Sequence, residues 1–144
     1  MNLHALAGQP IAVLIHLATV IPAFLLGTWL IFVSKKGTRT HRRIGMIYLA
    51  LMTITATAAI FVKSLHPGHF TWIHLFVPLT FVGVFAALWR IRAKDVAGHR
   101  NAMLGLYFGG LVIAGSLTFI PGRLMHRLFF GEPHTTAVAA TRSR

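Results

Sequence analysis

The sequence contains no cysteine and only two acidic residues, Asp95 and Glu132. The lack of cysteine excludes disulfide bonds and thiolate metal sites. Two acidic residues cannot supply the buried carboxylate pair that glycoside hydrolysis or carboxylate-based proton transfer requires. Walker, Gly-x-Ser-x-Gly, His-Glu-x-x-His and dinucleotide-binding motifs are also absent from the sequence. Enzyme chemistry without a cofactor is therefore not expected.

Hydrophobic residues dominate the composition. They make up 56% of the 144 residues, and the mean hydropathy is +0.71. The net charge of +12 comes from lysines and arginines that stand in short blocks between apolar stretches. Such blocks differ from the continuous basic face of a soluble nucleic-acid-binding domain, so no nucleic acid partner is expected. The composition predicts a membrane protein whose immediate partner is the lipid bilayer.

Four apolar stretches have about the ~20 residues that a membrane-spanning helix needs. They cover residues 10–33, 44–62, 71–89 and 102–120. The first stretch is too long and too lightly charged at its start for a cleaved signal peptide, so we expect it to remain in the mature protein. The predicted fold is all-α: a polytopic bundle of four transmembrane helices forming a single membrane domain over residues 1–144.

The charges between the apolar stretches predict the orientation in the membrane. Basic blocks at residues 35–43 and 90–100 follow the first and third stretches. The positive-inside rule places both blocks in the cytoplasm. The loop at residues 63–69 contains one lysine and is expected outside. Both termini, including a tail at residues 121–144, then also lie outside.

Two histidine motifs recur along the chain at the same distance. Ile15-His16-Leu17 recurs as Ile73-His74-Leu75, and His41-Arg42 recurs as His99-Arg100, each 58 residues later. Lys36 and Lys94 share this register. Self-similarity at a fixed distance indicates repeated structural units. We therefore expect two parallel two-helix repeats, at about residues 10–62 and 71–120, related by an axis along the membrane normal.

The repeated histidines fall at two depths. His16 and His74 lie near the outer ends of their predicted helices, and His41 and His99 lie at the inner starts of theirs. The repeat axis predicts that His16 faces His74 and that His41 faces His99, with the two levels about 25 Å apart. Opposed neutral imidazoles are the axial ligands of b-type haem, so two haem b groups are expected. Basic side chains suited to the haem propionates are Lys36, Arg42, Lys94 and Arg100.

Two further patterns concern helix packing and depth. Small residues at Gly105/Gly109 and Gly110/Ala114 in the fourth stretch predict close approach of a helix or of a flat ligand. Aromatic residues near the ends of membrane helices are typical of interfacial belts. This second pattern predicts interfacial positions for Trp29, Tyr48, Trp72, Trp89 and Tyr107.

Three short runs carry a resemblance to a known family: Lys-Gly-Thr-x-x-His-Arg from Lys36, Gly-His-Arg-x-x-Met from Gly98, and Pro121-Gly122-Arg123. From His16 to about Gly131, the chain resembles an uncharacterised prokaryotic family of four-helix membrane proteins classed as a domain of unknown function. The resemblance implies a four-helix fold in the bacterial inner (cytoplasmic) membrane.

The histidine plan alone resembles a different group, the transmembrane di-haem cytochromes b that pass electrons from ascorbate. Their four core helices pair histidines first with third and second with fourth. Those cytochromes have six helices, whereas this chain has four predicted spans. The resemblance implies electron transfer across the membrane and a redox partner, and it does not extend beyond the four histidines and the topology.

A non-redox function remains the alternative, as a small transporter or as an assembly partner of a larger membrane complex. Histidines within membrane helices also serve as interhelical hydrogen-bond partners. His41 and His99 adjoin arginines, and such pairs also bind lipid phosphate or cap a helix. His66 and His69 in the outer loop are either a surface metal site or part of a solvated turn.

Overall fold

The computed structural model describes residues 10–63 and 75–116, and these residues are helical apart from short turns. The elements are α1 (Ile11–Phe32), α2 (Arg39–Lys63), α3 (Phe76–Arg92), α4 (Val96–Gly105), a π-helical segment (Leu106–Ile113) and α5 (Ala114–Ser116). The last three are contiguous, so the described residues form four helical rods. The predicted all-α class is confirmed. The residues at 71–74, including His74, lie outside the described residues, as do His66, His69 and the tail.

The two basic turns share one local design. A residue with left-handed backbone stands immediately before the helix cap: Gly37 with φ 81° before α2, and Lys94 with φ 61° before α4. The Thr38 hydroxyl then accepts a hydrogen bond of 3.1 Å from the N–H three residues on, and the Asp95 carboxylate accepts the equivalent bond at 2.8 Å. These caps satisfy exposed backbone donors, so α2 and α4 begin within the basic blocks, earlier than the apolar stretches alone predict.

The helices pack in chain order around a common centre. α1 contacts α2, α2 contacts α3, and α3 contacts both α4 and the π-helical segment, which in turn contacts α1. The short turns between α1 and α2 and between α3 and α4 make each pair antiparallel. This order places α1 and α3 on one diagonal, and α2 and α4 on the other.

Most of the core lies between α2 and the fourth rod. Its buried members come from all four rods: Ala23, Leu30, Tyr48, Leu49, Met52, Ala87, Leu106, Tyr107 and Leu111. Tyr48 is 0% exposed and Tyr107 is 4% exposed. The prediction that these two tyrosines form part of an interfacial belt is therefore wrong. Sequence alone favours the membrane surface for a phenol, but the Tyr107 hydroxyl is satisfied inside the core by a hydrogen bond of 2.7 Å to Thr28.

The outer surfaces of the helices are strongly apolar. Many large hydrophobic side chains are exposed, among them Ile21, Leu25, Phe32, Val82 and Phe85. Water does not tolerate such extensive apolar surface on a monomer, whereas lipid does. Within the described residues, Ile11–Phe32 and Arg39–Phe61 are long and apolar enough to cross a membrane.

The glycines of the fourth rod pack unevenly. A Cβ atom added at Gly105 or Gly109 would meet no atom of the described residues within 4 Å. A Cβ atom at Gly110 would lie 3.1 Å from the Met52 methyl carbon. The predicted close approach of another helix is thus found at Gly110 and not at Gly105 or Gly109, because the rods meet along one face only.

Candidate functional site

His16 forms a hydrogen bond between the first two helices. It lies on α1, and its Nδ1–H donates to the backbone carbonyl of Thr55 on α2 at 3.0 Å. The Thr55 hydroxyl donates to the Thr19 hydroxyl at 2.8 Å, and the Thr19 hydroxyl lies within hydrogen-bond distance of the His16 carbonyl, at 3.1 Å. The imidazole is therefore held by a small polar cluster in otherwise apolar surroundings.

His41 is held at the other end of the same helix pair. It occupies the first turn of α2, and its Nδ1 lies 2.8 Å from the hydroxyl oxygen of Ser34. Ser34 follows α1 and is only 4% exposed. Its buried hydroxyl thus determines the direction in which the imidazole points.

His99 repeats this arrangement in the second helix pair. It lies in the first turns of α4, and its Nδ1–H donates to the backbone carbonyl of Ala87 on α3 at 2.8 Å. Ala87 is fully buried, so the acceptor is not accessible to water. The bond anchors the imidazole to the backbone of its neighbouring helix.

The three described histidines therefore share one hydrogen-bonding pattern. In each, Nδ1 is engaged by a fixed partner, and Nε2 has no hydrogen-bond partner among residues 10–63 and 75–116. Histidines that ligate metals usually have this arrangement, in which a second partner binds one ring nitrogen and fixes the tautomer of the other. Axial ligands of haem have the same arrangement, and haem ligation by these residues stays a prediction. The same bonds also satisfy histidines that merely link helices.

The inner pair of predicted ligands lies on diagonal helices. His41 is on α2 and His99 is on α4, which face each other diagonally. In the described part of the chain, no three histidine, cysteine or acidic side chains lie together so that they could hold a metal ion. A bis-histidine haem site needs only two such ligands. The predicted approach of His16 to His74 falls outside the described residues.

The four basic residues predicted near the haem propionates all lie at the His41 end of the molecule. Lys36 donates to the carbonyl of Ile31 at 2.7 Å, which stabilises the C-terminus of α1. Lys94 lies in the left-handed turn before α4. Arg42 and Arg100 are exposed, each one residue after an inner histidine. Contact of these residues with a propionate stays a prediction.

A polar pair that the sequence did not indicate lies between the two histidine levels. Tyr48 and Tyr107 both pack over Gly27 of α1, where an added Cβ atom would come within 3.0 Å of each ring. Phe24 stacks on Tyr107 with ring centroids 5.8 Å apart. The Tyr48 hydroxyl is buried and has no hydrogen-bond partner among the described residues. No local motif signals this pair, because its partners belong to three different helices.

Comparison with known proteins gives one match. A family model described as "Predicted membrane protein (DUF2306)" matches residues 13–142. This range includes both predicted repeats and all four repeated histidines. No curated protein and no solved structure matches the chain.

Proposed function

We propose that this chain, which belongs to the DUF2306 family of predicted membrane proteins, moves electrons across the bilayer through two bis-histidine haems. The observation that carries the proposal is the bonding pattern that His16, His41 and His99 share. Each has its Nδ1 bonded to a partner from the neighbouring part of its helix pair, so Nε2 would be the nitrogen that binds an iron.

The proposed architecture is a single membrane domain of four transmembrane helices in the bacterial inner membrane, with both termini outside. Repeat one covers about residues 10–62 and repeat two about residues 71–120. The packing of the helices in chain order supports this arrangement, because it places equivalent helices of the two repeats on diagonals. The matching turns before α2 and α4 support it as well.

The inner haem would be held by His41 and His99. Bound there, haem b would supply one-electron redox chemistry. The Ala87 carbonyl would hold the His99 imidazole in position and fix its tautomer, and the Ser34 hydroxyl would hold the His41 imidazole in position. The equivalent positions of the two histidines in the two repeats support this pairing.

The outer haem would be held by His16 together with His74. The Thr55 carbonyl orients the His16 ring, and the Thr19 hydroxyl closes the polar cluster around it. Equivalent positions of His16 and His74 in the two repeats support their pairing.

The buried core between the two levels would keep water and ions out of the electron path. Tyr48, Met52 and Tyr107 fill the space along the α2–α4 diagonal. Close packing excludes water from this region, so protons and ions do not leak between the two ends. The proposed partners are a redox protein or a larger membrane complex that supplies or accepts electrons.

The second candidate is a non-redox membrane module, either a transporter or an assembly partner. One observation favours it. The His16–Thr55 bond links α1 to α2, and the His99–Ala87 bond links α4 to α3. Bonds of this kind tie helices together without any cofactor.

A reduced-minus-oxidised visible spectrum separates the two candidates. The chain should be expressed with ample haem supply and purified in mild detergent. The electron-transfer function predicts the sharp bands of six-coordinate b-type haem, which weaken in His41→Ala and persist in His66→Ala, a histidine outside the four ligands. A colourless wild-type protein would favour the non-redox module.

A further inference from the structure

A groove runs between α3 and the fourth rod, separate from the histidine sites. Its volume is about 340 Å³. Half of the residues that line it are small: Gly83, Ala86, Gly98, Ala102, Gly105 and Gly110. Arg90 and Asn101 line one end, and Thr80 lines the other. From Arg90 to Thr80 the groove follows α3 for about 15 Å, given the ~1.5 Å rise per residue.

The interior of the groove is apolar. The Thr80 hydroxyl donates to the carbonyl of Phe76 at 2.7 Å, so its proton is used within α3 and is not offered to the groove. The side chain of Leu106 closes the floor of the groove. It packs so closely on Gly83 that a Cβ atom added there would lie 2.7 Å from it. A long, narrow, apolar groove of this kind fits a hydrocarbon chain.

The polar end of the groove is positively charged. Arg90 lines it and donates to the Asp95 carboxylate at 2.8 Å, while both side chains remain partly exposed. Both Asp95 oxygens are engaged, one by Arg90 and one by the Gly98 N–H. Three more cations lie in or near the turn between α3 and α4 and leave an excess of positive charge there: Arg92, Lys94 and Arg100. Basic pockets between membrane helices favour anionic lipid headgroups.

We propose that this groove binds one acyl chain of an anionic phospholipid, with the phosphate at Arg90 and Asn101. Charge complementarity selects this occupant, since the groove opens among cations. A neutral quinone would gain nothing from the excess positive charge, so the charge favours an anionic lipid over a quinone. The proposal does not depend on haem binding.

Native mass spectrometry of the full chain tests the proposal. The protein is released from nanodiscs that contain phosphatidylcholine and phosphatidylglycerol, and the retained lipids are counted. Wild-type protein should retain phosphatidylglycerol in preference to phosphatidylcholine. Arg90→Gln should lower that preference about fivefold, the effect expected of one interfacial cation. Arg92→Gln is the matched control: it removes the same charge from a neighbouring residue that does not line the groove, so it should lower the preference less than Arg90→Gln does.

A second pair of variants tests the groove itself. Gly105→Leu places a side chain in the groove, whereas Gly109→Leu adds the same bulk at an equally open position that does not line it. Only the first should reduce phosphatidylglycerol retention. Equal retention in the two leucine variants would overturn the proposal, as would equal effects of the two arginine variants. Retention of a quinone in place of phospholipid would also overturn it. If Gly105→Leu does not fold, the arginine pair, which adds no bulk, decides the outcome.

Discussion

The Nδ1–H of His99 donates to the carbonyl oxygen of Ala87 at 2.8 Å, which anchors an imidazole on α4 to the backbone of α3. The His16–Thr55 bond does the same between α1 and α2. In both histidines the bond at Nδ1 fixes the ring, and so the packing of the helices sets the direction of Nε2. On the electron-transfer proposal, a histidine constrained in this way would bind iron at a lower entropy cost, because its ring is already fixed in the folded protein.

Gly27→Ala should destabilise the protein. The new Cβ atom would lie 2.7 Å from Tyr107 and 2.9 Å from Tyr48, and both rings are buried. Overpacking of this kind costs about 1–3 kcal/mol. Thermal unfolding in detergent measures the change. Gly45→Ala is the control, since its Cβ atom would meet nothing within 4 Å. Equal melting temperatures for the two variants would contradict the described packing.

Removing the Tyr107 hydroxyl should cost more stability than removing the Tyr48 hydroxyl. Tyr107→Phe loses the 2.7 Å bond to Thr28, and a bond between membrane helices contributes about 1 kcal/mol. Tyr48→Phe removes a buried hydroxyl that has no partner in the described part of the chain, so it should be neutral or stabilising. Denaturant titration compares the two. A larger loss for Tyr48→Phe would reveal a partner for that hydroxyl.

Asp95 should make stability depend on pH in the acid range. The Gly98 N–H and then the Arg90 guanidinium lower the pKa of its carboxyl below the ordinary value. A lowered pKa in the folded state contributes stability at pH values above the unfolded pKa of about 3.9, and that contribution is lost as the pH falls through the folded pKa.

The variants of Asp95 separate capping from charge. Asp95→Asn keeps a good cap and loses the ion pair with Arg90, whereas Asp95→Ala loses both. At neutral pH the melting temperature should be highest for the wild type, lower for Asp95→Asn and lowest for Asp95→Ala. The gap between wild type and Asp95→Asn should shrink below about pH 4, where the carboxyl gains a proton. A gap that does not change with pH would exclude a role for the charge.

Much of the helical layout could be predicted from the sequence. Apolar stretches and basic turns predict the order of the helices, and the first turns of α2 and α4 contain His41 and His99 as expected. The second and fourth predicted stretches begin later than α2 and α4 do, because a hydropathy pattern does not detect the part of a helix that lies within a basic block. That extension depends on the Thr38 and Asp95 caps.

Contacts between distant segments could not be predicted. Tyr48, Tyr107 and Gly27 meet because three helices pack together, and no local pattern encodes their encounter. The repeat is also inexact. His41 is the third residue of its helix and His99 the fourth, so the cap moves by one position between the repeats. The π-helical segment after Gly105 was likewise not foreseen, since nothing in its sequence distinguishes it from an α-helix.

The proposed topology predicts where fused reporters are active. With both basic turns in the cytoplasm, a phosphatase fused after Arg127 should be active outside, and a phosphatase fused within residues 35–43 should be inactive. A reporter active only in the cytoplasm gives the reverse pattern. Cytoplasmic activity of a fusion after Arg127 would overturn the orientation.

The most direct test of the electron-transfer proposal is a pyridine haemochrome assay on wild type and on single alanine variants of the four histidines. The wild type should contain two haems per chain. His16→Ala or His74→Ala should remove the outer haem and leave the inner one, and His41→Ala or His99→Ala should do the converse, because the sites lie about 25 Å apart and share no ligand. One haem in each variant is the predicted result. A wild type without stoichiometric haem, in which the same variants cost only about 1 kcal/mol of helix association, would contradict it.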